Sequence, residues 1–90
     1  MALFHCSGEI NRRVRDVDAV LREILAVFGA QAVAVTQRDG VSVCFDTWRF
    51  NVRASNTEPL LRLNVETRGD TALLADKTQA VLAVIDAVGG

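Results

Sequence analysis

The segment VRASNTEPLLRLNVE, Val52 to Glu66, contains a loop with a strand on either side. Beyond the loop, Leu61, Leu63 and Val65 alternate with Arg62, Asn64 and Glu66. Ahead of it, Phe50 and Val52 alternate with Asn51 and Arg53. A period of two sends the sets to opposite faces of a pleated strand, one greasy and one polar. Pro59 has no N–H and suits a strand's first position, and it biases Glu58 to extended geometry. Such clean alternation describes an antiparallel sheet that is covered on one face only. The rest of the chain has to supply that cover.

Working outward, Val41, Val43 and Phe45 alternate with Ser42, Cys44 and Asp46, and Ala32-Val33-Ala34-Val35 is a short strand candidate before them. Arg38-Asp39-Gly40 between these runs predicts a hairpin, because Asp-Gly tolerates the left-handed backbone that tight turns need. Further upstream, Asp16 can cap a helix on which Val17, Val20, Leu21, Ile24, Leu25 and Phe28 share a face. Asp18 and Arg22, four residues apart on the polar side, support about three turns. Gly29 sits where a helix C-terminus favours a left-handed residue. A second helix opens at Asp70, with Leu74, Thr78, Val81, Ile85 and Val88 at helical intervals, and ends at Gly89-Gly90. The order is an extended segment, a helix, three or four antiparallel strands and a helix. Both helices must lie on the greasy face, giving a two-layer α+β sandwich. By parity Arg53, Arg62, Asn64 and Glu66 fall on the uncovered face.

Composition narrows the function classes. Ninety residues, half of them hydrophobic and one a proline, make a single domain that can build a core. Ten basic and eleven acidic residues leave a net charge of -1, which gives no support for nucleic-acid binding. No apolar run approaches the ~20 residues that a bilayer span needs. Met1-Ala2-Leu3-Phe4-His5-Cys6 lacks the charged front of a signal peptide. Cys6 and Cys44 make no disulfide framework, so free thiols in a reducing cytoplasm are expected.

The loop concentrates hydrogen-bonding capacity. Ser55 and Thr57 bring hydroxyls and Asn56 an amide donor, and Asn56 tolerates a left-handed kink that gathers backbone N–H groups into an anion nest. Arg53 adds a planar fork suited to phosphate, and Arg62 starts on the same side of the sheet. Phosphate fits this set best. The plain alternative is a polar hairpin turn, and Glu58 suits a phosphate pocket only with its side chain pointing away.

The same stretch closely resembles the phosphate-binding loop of the phosphohexomutases, the phosphomannomutase and phosphoglucomutase family. Their fourth, C-terminal domain carries Arg-x-Ser-Asn/Gly-Thr-x-Pro before an apolar strand. Ser7-Gly8-Glu9-Ile10-Asn11 and Asp39-Gly40-Val41 also look like that domain, and the likeness covers roughly residues 7–88. It implies a β-α-β-β-β-α, TATA-binding-protein-like sheet of about four strands, with residues 8–90 as the domain and 1–7 as a flexible start or interdomain linker. It also implies a parent enzyme that interconverts hexose 1- and 6-phosphates of mannose or glucose through a phosphoserine, with Mg2+ held by another domain. Carried over by position, Arg53, Ser55, Asn56 and Thr57 would contact the phosphate that is not reacting, with Arg62 as a fifth. Asn56 leans towards hexose-phosphate enzymes, since the glucosamine enzymes usually have glycine there. The family's phosphoserine context, aspartate-rich metal loop and sugar-reading loop are missing from these ninety residues. The resemblance therefore implies an excised domain, inactive by itself and normally in contact with three others; a stand-alone anion-sensing module of the same fold is the alternative.

Other residues have plainer readings. His5 belongs to a fraying start, and Trp48 packs at the sheet edge unless its indole stacks on a sugar. Cys44 falls on the polar face. Single-stranded nucleic acid would need aromatics on that face, whereas Phe45 and Phe50 fall on the greasy side.

Overall fold

The helix expected after Asp16 is α1, Val17–Phe28, and the Asp16 carboxylate accepts a hydrogen bond from the Ala19 N–H at 3.1 Å. That bond satisfies one of the amides left over at a helix start. The computed structural model describes residues 4–37, 40–55, 58–69 and 71–89. The other elements are β1 (Phe4–Cys6), β2 (Ile10–Arg13), β3 (Ala34–Thr36), β4 (Val41–Cys44), β5 (Trp48–Ala54), β6 (Leu60–Arg68) and α2 (Thr71–Gly89). The strands all pair antiparallel in one sheet of order β1-β6-β5-β4-β3, with β2 also on β6.

The α+β two-layer reading holds, but among the described residues the sheet has six strands where about four were expected. The extra ones come from the lead-in. Residues 4–6 pair with Arg68 to Glu66, and residues 10–13 pair with Leu63 to Leu60. Between them the register slips by one residue, the signature of a β-bulge. Ser7 fills the gap: its N–H donates to the Val65 carbonyl at 2.8 Å, and its Oγ accepts from the Val65 N–H at 3.0 Å. Gly8 then turns the chain at φ 77°, a left-handed value that few other residues adopt readily. The bulge reverses parity, so Cys6 and Asn11 both share the open face with Glu66 and Arg62. Arg12 lies opposite Leu61 on the helix side and reaches Asp86 of α2 at 3.5 Å.

Val20 and Ile24 of α1, Val81, Leu82 and Ile85 of α2, and Val41, Val43, Phe50, Val52, Leu61, Leu63 and Val65 of the sheet form one buried core. Thr78 faces it with its hydroxyl donating to the Leu74 carbonyl at 2.6 Å, which satisfies a polar group that burial would otherwise penalise. Phe28 meets Phe45, Trp48 and Phe50 edge-on, and Phe45 stacks on Trp48 with centroids 4.3 Å apart.

Four local expectations change. Gly29 is right-handed (φ -63°), because the chain tightens into a 3-10 turn through Gln31 instead of reversing. The strand expected over Ala32–Val35 is displaced to Ala34–Thr36 and is exposed throughout, since it is the sheet's edge. Trp48 is buried on the interior strand β5, not at an edge. Val88, expected on the apolar stripe of α2, is exposed at that helix's far end. The hairpin residues Arg38 and Asp39 and the helix start Asp70 lie outside the described residues, although the β3–β4 pairing that such a turn would join is present.

Candidate functional site

Antiparallel register builds the open face row by row. Cys44, Arg49, Glu66 and Cys6 are successive partners across β4, β5, β6 and β1. Ser42, Asn51 and Asn64 form the next row, and Arg53, Arg62 and Asn11 the third. Three strand spacings of ~4.8 Å separate the cysteines, far beyond disulfide reach. Both are free thiols.

The first row neutralises itself. Arg49 Nη2 lies 2.7 Å from Glu66 Oε2, and its Nε donates to the same oxygen at 2.9 Å. This hydrogen bond, and then the attraction between the two charges, raise the Arg49 pKa above its ordinary value. The middle row is held by Asn51, whose Nδ2 donates to Ser42 Oγ at 2.8 Å. The Asn64 Oδ1 beside it is buried with no hydrogen-bond donor among the described residues.

The third row is different. Arg53 and Arg62 are direct cross-strand partners and both are exposed. Like charges in that relation destabilise a sheet. Among the described residues no carboxylate pairs with Arg53, and the one near Arg62 is Glu9, its Oε1 3.8 Å from Nη1. Gly8, Glu9, Asn51, Arg53, Arg62 and Asn64 line an open depression of about 360 Å³ there. Two cations in register beside a polar loop are an arrangement that an anion relieves.

The loop closes against this row. The Ser55 N–H donates to the Leu60 carbonyl at 3.0 Å, and the Leu60 N–H donates to the Glu58 carbonyl at 2.8 Å. The Ser55 amide therefore serves as a loop-closing donor. Gly40 presses on the opposite side of β5. A Cβ there, at φ 88°, would stand 2.3 Å from the Val52 carbonyl oxygen and 2.8 Å from the Arg53 Cα. Of the expected site residues, Arg53, Ser55 and Arg62 cluster at this end of the sheet, while Asn56 and Thr57 lie outside the described residues. Glu9 and Gly40 were not expected there. Both lie in the quoted stretches Ser7–Asn11 and Asp39–Val41, but the bulge hides the direction of one and only pairing reveals the closeness of the other.

Residues 9–84 match the phosphoglucomutase/phosphomannomutase C-terminal domain. The chain belongs to that family. Similar relatives include the phosphohexose mutases of Xanthomonas campestris pv. campestris strain B100, 54% identical over 81 residues, which are 90% of this chain and 18% of that protein. The phosphomannomutase of Salmonella typhimurium is 48% identical over 86 residues, 96% of this chain and 19% of the relative. A solved phosphoglucomutase/phosphomannomutase family protein from Burkholderia thailandensis has the same fold, with a TM-score of 0.66 at 22% identity, over 100% of this chain and 19% of that one. The chain thus spans about a fifth of the length of these family members. Among the described residues no group of three or more His, Cys, Asp or Glu side chains is arranged to hold a metal ion, and no helix is long and apolar enough to cross a membrane.

Proposed function

We propose that this chain is the substrate-phosphate-binding domain of a phosphohexomutase that interconverts the 1- and 6-phosphates of mannose or glucose. The observation that carries the reading is the direct register of Arg53 with Arg62, next to the Ser55–Pro59 loop, in a domain of this family. Arg53 grips phosphate oxygens with its planar fork, and Arg62 supplies a second cation. Ser55, Asn56 and Thr57 add short neutral donors that select a tetrahedral oxyanion over a simple halide. The group held is the phosphate that is not reacting. Holding it orients the sugar for in-line transfer at the other end, so remote binding energy becomes positioning. The phosphoserine and the Mg2+ of the reaction belong to the remaining domains of the parent enzyme, which supply phosphoryl transfer and charge neutralisation. The open polar face with its Asn64 acceptor suits contact with those domains. Free Cys6 and Cys44 suit a reducing cytoplasm.

The test is a titration of the isolated chain with inorganic phosphate, followed by amide and arginine side-chain NMR. One anion on one exposed site suggests a dissociation constant on the order of millimolar, about -4 kcal/mol. Shifts should concentrate at Arg53, Ser55, Asn56, Thr57 and Arg62 and weaken with added salt. Shifts scattered over the surface would reduce the loop to a turn.

A further inference from the structure

A carboxylate paired with Arg62 is the least expected feature of an anion site. Glu9 is delivered there by the β1–β2 bulge: Ser7 anchors the chain to Val65, and Gly8 at φ 77° turns it. Glu9 then lies in the same depression as Arg53 and Arg62, with its Oε1 3.8 Å from Arg62 Nη1. Both side chains stay largely exposed, at 59% and 45%, so the pair forms and breaks at little cost. Arg53 has no such carboxylate among the described residues.

We propose that Glu9 is a built-in counter-anion that competes with the substrate phosphate for Arg62 and so sets the affinity of the site. This rests on the phosphate-binding reading above and deepens it. In the free domain Glu9 partly neutralises Arg62 and relieves its repulsion with Arg53. An arriving phosphate bridges both arginines, and Glu9, now a like charge beside it, swings out to water. Attraction to the phosphate is thereby reduced by the pair it must break. The result is a site that releases its ligand readily while keeping two arginines in register.

The experiment titrates inorganic phosphate into the wild-type chain and into Glu9→Gln, Glu9→Asp and Glu58→Gln, following the Arg53, Ser55 and Arg62 signals by NMR. Glu9→Gln should tighten binding about two- to five-fold, the range that an exposed ion pair spans. Glu9→Asp keeps the charge on a shorter arm and should fall between. Glu58→Gln removes an equal charge from the loop without touching the Arg62 pair and should change affinity less. In the wild type, saturating phosphate should shift the Glu9 carboxyl carbon as it leaves Arg62. Wild-type binding that Glu9→Gln leaves unchanged or weakens, or an equal gain from Glu58→Gln, overturns the competition while the phosphate site stands. If no chain gives saturable shifts at these residues, the site itself fails and the competition falls with it.

Discussion

Replacing Gly40 by alanine tests how the hairpin arm supports Arg53. Gly40 has φ 88°, and an added Cβ would sit 2.3 Å from the Val52 carbonyl oxygen and 2.8 Å from the Arg53 Cα. Ordinary contact begins near 3.4 Å, so β4 and β5 must part by about 1 Å at this point. Both neighbours are backbone atoms of a central strand and cannot rotate away as a side chain would. The positive φ alone costs a non-glycine residue ~1–2 kcal/mol. Adding the steric shift brings the expected loss to ~2–4 kcal/mol, a large part of a small domain's ~5–15 kcal/mol. Gly8→Ala is the internal control: its φ is 77°, but nothing lies within 4 Å of the added Cβ. It should lose only the conformational part, ~1–2 kcal/mol. Urea denaturation of the two variants beside the wild type measures the difference, and phosphate titration should find weaker binding in Gly40→Ala because the Arg53 backbone has moved. A Gly40→Ala variant no less stable than Gly8→Ala would refute the close approach.

Arg53→Lys keeps the charge but loses the planar fork, so it should weaken phosphate binding in the titration while leaving the denaturation midpoint near the wild type's. Leu63, 1% exposed in the centre of β6, should cost ~2–5 kcal/mol when cut to alanine. A well-dispersed, wild-type-like NMR spectrum of Leu63→Ala would count against the packing described. The isolated chain should not interconvert hexose 1- and 6-phosphates, and magnesium-dependent turnover by the pure ninety-residue protein in a coupled assay would overturn the domain reading.

Much of this molecule was legible in one dimension because its information is local and periodic. The Asp16 cap needs only the next few residues, and the stripe through Val20 and Ile24 follows from helical geometry. The alternation in Val41–Cys44, Phe50–Arg53 and Leu61–Glu66 assigns faces before any partner is known. Parity alone puts Arg53 and Arg62 on the open face.

What tertiary structure decided is what depends on pairing. That Arg53 faces Arg62 directly, not one place along, is a matter of register, and register depends on the whole sheet. The six-stranded count depends on a bulge at Ser7–Gly8, where the side-chain parity reverses and no periodic pattern survives. Gly29 and Gly40 look alike as helix-end and turn glycines. One is right-handed in a continuing turn, while the other is left-handed against the backbone of β5. Glu9 reaches Arg62 across 53 positions of chain, a distance that only folding closes. Local sequence determines which face a side chain takes, and long-range pairing determines whose side chain it meets there.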